Sequence, residues 1–296
     1  MVDTSTHAQS AAVPHRPHRA PPPRLPVPTP DDDLFMRNLA DDADDLEESP
    51  WMTMGEMQFW SASSFAYALA IYARTESKPW YIASMLPVTF PWPLPPHLRA
   101  FDDEATADDS VRPRTRQIAP DTMVALEATM VRGRTSFDMV GEGRFPPFVL
   151  EVVSPSSKAR DEQEKKRAYD LLGVQEYVIF TPLLDKPSTL VGWRRGQSGR
   201  FEPWPLDGEG RLWSAVLSLY ILVRDERVRA QTGEGEVLLT PEEEAEGRRQ
   251  EAEGRRRVEA ALQRESDARR AEEAARQRAE EELAQLRREL ERRDQQ

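Results

Sequence analysis

PPFVLEVVSPSSKARDEQEKKRAYDLLGVQEYVIFTP, residues 146–182, is the stretch on which the fold turns. Phe148 to Val153 form an apolar run of strand length between prolines, and QEYVIFTP is a second one. Ser156 or Ser157 can cap a helix over about 158–172, which Gly173 stops. Strand, helix and strand in this order make a crossover unit and predict an α/β core with a mixed sheet. Glu151 is the exception in this pattern. A carboxylate inside a buried strand costs several kcal/mol unless it is paired or binds a metal, so it requires a partner.

Outward from this unit, TMGEMQFWSASSFAYALAIYARTES reads as an amphipathic helix, with Thr53 and Glu56 at capping-box spacing and Phe59, Trp60, Phe65, Leu69 and Tyr72 on its apolar side. PWYIASMLPVTFPW reads as strand, with Pro87 at an edge or a bend, FDDEATADDSVRPRTRQ as an exposed loop, and IAPDTMVAL as another strand. Residues 131–146 read as a connection. TLVGWRRG and RFEPWP, with Gly199 between them, form a hairpin at the sheet edge.

Three segments follow from composition: a Pro-rich and then acidic disordered arm over 1–48, a globular domain over 49–230, and a charged helix over 241–296. Eight prolines in the first thirty residues favour an extended arm, and the acidic run 31–48 repels itself, although a short partner-binding helix is the alternative there. In the tail, Leu283, Leu286 and Leu290 have coiled-coil spacing over a short stretch; a solvated helix held by Glu–Arg pairs explains the rest equally well.

The net charge of -12 resides in the appendages, because the segment 49–230 carries only -1. The chain has no cysteine, and three of its four histidines (His7, His15 and His18) lie in the arm, leaving His97. Thiolate and histidine metal sites and a Ser-His-Asp triad are therefore excluded in practice. LWSAVLSLYILV is too short to span a bilayer, and no signal-peptide core is present, so the expected location is cytoplasmic, with no membrane partner.

The partner that Glu151 requires is offered by Asp121, which follows Pro120 at the mouth of the preceding strand. Two carboxylates on neighbouring strands are compatible with a divalent cation between them, and oxygen donors select Mg²⁺ or Mn²⁺. On the following helix, Asp161, Lys165 and Tyr169 share one face at i, i+4, i+8. Lys165 could hold or deprotonate an attacking water and offset charge on a phosphate. Each piece alone also describes something plain: a Pro-Asp turn, a surface Asp–Lys pair.

Together, Pro120-Asp121, then Glu151-Val152-x-Ser154-Pro155-Ser156, then Asp161-x₃-Lys165-x₃-Tyr169-x₃-Gly173-Val174-x-Glu176-Tyr177, resemble the Uma-two family of restriction endonucleases, a branch of the PD-(D/E)XK nuclease superfamily. The resemblance is dense over 119–182 and looser over about 51–230. It implies a restriction-endonuclease-like core, a central mixed β-sheet flanked by helices, acting on DNA as a hydrolase. It further implies Mg²⁺ (or Mn²⁺) on Asp121 and Glu151 with the Val152 carbonyl as a further ligand, and Lys165 as the catalytic lysine. The superfamily's lysine position, two residues after the glutamate, holds Val153; Lys166 competes with Lys165 for the role.

The supporting residues have plainer roles. Ser154 and Ser156 turn the chain and cap the helix, Asp161 orients Lys165, and Tyr169 with Tyr177 packs the helix on the sheet. Arg132, Arg134 and Arg144, in the loop between the ligand-bearing strands, are candidates for phosphate contacts, with solvated loop charges as the alternative. The rival function class is an inactive nuclease-fold scaffold working through its arm and tail. A homodimer through the core or the C-terminal helix is the expected protein partner.

Overall fold

The structure is a computed structural model that describes residues 28–38, 56–95, 98, 113–128, 133–153, 160–182 and 187–294. The chain divides into two compact units, 1–238 and 239–296. Among the described residues, no helix is long and apolar enough to cross a membrane.

The first unit is built on a six-stranded sheet. Its strands are β1 (Trp80–Ala83), β4 (Thr122–Leu126), β6 (Phe148–Val152), β7 (Glu176–Thr181), β8 (Thr189–Arg195) and β9 (Phe201–Trp204), paired in that order. β6 and β7 run parallel at its centre and every other pairing is antiparallel. All five residues of β6 are buried, Glu151 among them, as befits a strand covered on both faces.

Alternation along β6 divides the core in two. Phe148, Leu150 and Val152 face a cluster with Ala62, Phe65 and Leu69 of helix α2 (Glu56–Thr75) and with Leu219 and Ile221 of a small sheet, β10 (Leu212–Ser214), β11 (Leu219–Arg224) and β12 (Arg227–Gln231). Val149 and Val153 face the other cluster. It contains α4 (Lys166–Leu171), α1 (Pro30–Asn38) and a second small sheet in the order β3 (Arg114–Ile118), β2 (Val88–Trp92), β5 (Phe137–Asp138). The short α3 (Met139–Glu142) follows β5.

The structure corrects several local expectations. PWYIASMLPVTFPW is two strands in two sheets, broken at Pro87, and the loop reading of RTRQ fails because β3 pairs with β2. Residues 131–146 are more than a connection, since they hold β5 and α3. On α2, Trp60 is 52% exposed, and the alanines Ala62, Ala66 and Ala73 join Phe65 and Leu69 as the buried stripe; small residues let the helix lie close to the sheet. The helix expected over 158–172 begins, within the described residues, as a wide π-helical turn over Arg160–Lys165 and becomes α4 only at Lys166. In the acidic run, Pro30–Asn38 is helical, and its Met36 is fully buried in the core.

Glu176 anchors the small β10–β12 sheet. Its buried carboxylate accepts from the Ser214 hydroxyl and from the Ala215 and Val216 amides at 2.8 and 3.2 Å. Burial pushes this carboxyl up, and the Ser214, Val216 and Ala215 donors pull it only partly back. From its ordinary value of 4.5 up through the raised one, the folded state keeps a proton that the unfolded state has released, so stability falls as pH rises across that window. Glu176→Gln is expected to remove this component, and urea midpoints of the variant should gain on wild type as pH rises through the window.

The second unit is α5 (Pro241–Asp294), 54 residues long and about 80 Å at 1.5 Å per residue. Thr240 and Glu243 close a reciprocal capping box, with Pro241 in the first turn. Glu–Arg pairs follow at i to i+4, among them Glu251–Arg255 at 3.5 Å and Glu265–Arg269 at 2.8 Å, while Val258, Leu262 and Leu283 are exposed.

Candidate active site

At the C-terminal end of β6 the antiparallel ladder with β4 stops for a chemical reason. Thr122 pairs with Leu150, so the next positions, Asp121 and Glu151, stand opposite one another on the same face. One step further the partner of Val152 would be Pro120. It has no N–H, and its carbonyl already accepts from the Met85 amide at 2.9 Å. The Val152 N–H is instead taken by Asp121 Oδ2 at 2.7 Å, and the Asp121 N–H donates to Glu151 Oε2 at 3.2 Å. The two carboxylates are thus clasped across the strand ends, with Glu151 0% and Asp121 7% exposed.

The crossover brings positive charge and a hydroxyl to this pair. Lys165 Nζ lies 3.3 Å from Glu151 Oε2, and the Tyr169 hydroxyl donates to Glu151 Oε1 at 2.6 Å. Four residues apart, the two side chains leave one face of the π-turn and helix. π-Turns inside helices recur at functional sites because the extra residue redirects a side chain. The Tyr169 ring is fully buried between Phe145 and Tyr177, with centroids 5.9 and 5.1 Å away, so it both packs and donates. The sequence places it on the face of Asp161 and Lys165 as a supporting residue, with packing as its plainer role. Its position one turn after Lys165 was the available sign of the second role.

Tyr169→Phe keeps the ring and removes a donor to a buried carboxylate. The expected loss of stability is about 1.5–3 kcal/mol, the range for hydrogen bonds to charged groups, measured by urea unfolding of the metal-free protein.

Lys166, the competitor, points elsewhere: its Nζ sits 4.7 Å from the centroid of Trp193. Val153 is buried in the core cluster shared with Tyr169 and Tyr177, and its N–H bonds to the Phe180 carbonyl at 2.8 Å. The position of the superfamily lysine is therefore a packed hydrophobic one. Arg134 is not a solvated loop cation. It pairs with Glu142 at 2.6 Å, its side chain is 9% exposed, and its guanidinium lies 4.8 Å from the Tyr81 ring centroid. Such a residue is held inside the domain by its ion pair and ring contact. Arg144 is half-buried beside α3. Ser154, Ser156 and Arg132, and the side chains of Asp161 and Glu56, lie outside the described residues.

Among the described residues, no group of three or more His, Cys, Asp or Glu is arranged to hold a metal. The oxygen donors here are the Asp121 and Glu151 carboxylates, with Lys165 beside them as a cation. Such hard oxygen donors suit Mg²⁺ or Mn²⁺, and Mg²⁺ commonly takes only one or two carboxylates from a protein and completes its shell with water.

A family model, Uma2, described as "Putative restriction endonuclease", matches residues 60–250, which include Asp121, Glu151, Lys165 and Tyr169. The chain belongs to the Uma2 family. Among solved structures, it is similar to the crystal structure of a protein titled "putative nuclease belonging to DUF820", from Anabaena variabilis, at 14% identity and a TM-score of 0.34, over 51% of this chain and 68% of that one. No curated protein matches. The Uma2 span begins after α1 and ends within the first turns of α5.

Proposed function

We propose that this Uma2 protein is a metal-dependent endonuclease that hydrolyses DNA phosphodiester bonds at the Asp121–Glu151 pair. The observation that carries the reading is the convergence of two carboxylates and Lys165 at one buried strand end, with Lys165 Nζ 3.3 Å from Glu151. Asp121 and Glu151 would hold Mg²⁺ or Mn²⁺. In an extended strand the N–H and carbonyl of one residue leave by the same edge, so the Val152 carbonyl is directed to the Asp121 side and is the natural further ligand. A bound divalent ion supplies Lewis acidity, making water a competent nucleophile at neutral pH and countering charge on the phosphate.

The remaining chemistry belongs to the chain. Lys165 orients the attacking water or takes its proton, and offsets negative charge developing on the phosphate oxygens. Tyr169 fixes the rotamer of Glu151, and the Val152 N–H fixes that of Asp121. Val153, in the superfamily's lysine position, favours the inactive-scaffold reading. Lys165 answers it by reaching the same glutamate from the helix.

Supercoiled and linear DNA incubated with Mn²⁺, Mg²⁺ or EDTA, using wild type and Glu151→Gln, tests the proposal. Cutting that needs metal and disappears in the variant is the expected result. Folded wild-type protein that neither cuts nor binds Mn²⁺ by calorimetry would overturn it in favour of the scaffold.

A further inference from the structure

Asp32 lies in the first turn of α1, ahead of the span shared with the Uma2 family, yet it stands where three elements of the domain meet. Its Oδ1 accepts from Arg167 Nε at 3.0 Å and Nη2 at 2.9 Å, and its Oδ2 accepts from Arg200 Nη2 at 2.9 Å. Thr29 caps the helix and donates to the same carboxylate through its N–H and hydroxyl at 3.0 and 2.9 Å. Arg200 continues to Asp170 at 3.3 Å, and Asp170 accepts from Arg195 at 3.3 Å and from the Phe201 amide at 2.9 Å. Charges of alternating sign therefore run from α4 through α1 to the β8–β9 hairpin and back to α4.

Apolar contacts secure the same helix. The Arg167 guanidinium lies 4.5 Å from the Phe35 ring centroid, Met36 is fully buried in the core cluster that contains Tyr169 and Leu172, and Trp92 Nε1 donates to Asp33 at 2.9 Å. Burial alone would push the Asp32 carboxyl up, but the Thr29 amide and the two guanidinium groups hold it at about 2, so it stays ionised at neutral pH.

α4 has only six residues, too few to be stable without tertiary support. It is gripped at Arg167 near its start and at Asp170 near its end, while Tyr169 on its other side and Lys165 immediately before it reach Glu151. We propose that Asp32 is a positioning residue: by fastening α4 through Arg167 and Arg200, it keeps Lys165 and Tyr169 in register with Glu151. This rests on the active-site reading above, and it makes a segment outside the family span part of the catalytic apparatus.

Asp32→Asn keeps the size of the side chain and removes its charge. In the full-length protein, amide exchange of residues 168–172 is expected to quicken while that of β6 and β7 does not. With Mn²⁺, kcat for DNA cleavage is expected to fall ten- to a hundredfold with KM within about twofold, because displacement of a catalytic group by about an ångström costs rate more than binding. Unchanged exchange in α4, or quickened exchange with unchanged kcat, would overturn the proposal. Glu151→Gln assayed alongside separates the two readings. Cleavage that survives it overturns the site and the role given to Asp32, whereas cleavage that it abolishes and Asp32→Asn leaves intact overturns only the latch. Arg167→Lys, which leaves Asp32 and Arg200 in place, is a milder variant should Asp32→Asn fold poorly, and it is expected to shift both readouts in the same direction by less.

Discussion

Glu151→Gln is expected to lower metal-dependent DNA cleavage by at least about a thousandfold, because a Lewis-acid ion contributes several kcal/mol and each 1.36 kcal/mol is a factor of ten. The amide keeps an oxygen to accept from the Tyr169 hydroxyl and preserves shape in a fully buried position, so circular dichroism should report an intact fold. What it removes is one of two anionic oxygen donors. Mn²⁺ binding measured by calorimetry should weaken with activity, and Asp121→Asn should behave alike, since Asp121 faces the same space across the strand ends. Retained cleavage in either purified variant would show that the chemistry lies elsewhere.

Lys165→Met separates the lysine from the metal ligands. Proton transfer by a positioned side chain is worth about a hundred- to ten-thousandfold, and kcat is expected to fall within that range. Lys166→Met, which alters a contact with Trp193, should change kcat by less than about threefold. A second consequence is thermodynamic. Removing Lys165 takes one partner of a buried ion pair away from Glu151, a change that typically costs about 3–5 kcal/mol. Lys165→Met should therefore unfold at lower urea than wild type in EDTA and recover part of the difference with Mn²⁺, which restores positive charge at the same carboxylate. Equal stability in EDTA would mean that the 3.3 Å ion pair carries no weight.

The central unit was legible in the sequence because its signals are local. β6 and β7 are largely apolar runs bounded by proline and polar residues, and Glu151 drew attention by contradicting the run around it. Asp121 could be paired with it because Pro120 marks a strand entrance. The geometry then explains what spacing left open between Lys165 and Lys166: the π-turn sets the first toward Glu151 and the second toward Trp193. Less was legible where order depends on distant partners. β3 reads as a loop because, of Arg114, Thr115, Arg116, Gln117 and Ile118, only Ile118 is buried, and the apolar side of the pairing comes from β2. α1 is nearly invisible within an acidic run because its helix is held by Arg167 and Arg200, more than 130 residues away. Arg134 looked like a loop cation because Glu142, Tyr81 and Phe137 surround it only once the loop has folded back.

Met36 gives the position of α1 a practical meaning for anyone trimming this protein. The span shared with relatives starts at residue 60, and a fragment cut there would look complete by homology while lacking a side chain that is fully enclosed in the larger protein. The vacated site would be lined by apolar groups on one side and, on the other, by Arg167 and Arg200, both deprived of the Asp32 carboxylate. Such a wound invites either collapse or adhesion to whatever acidic, amphipathic segment is at hand. Homology sets the limits of what relatives have in common; here the packed core reaches further back, to the cap of a nine-residue helix.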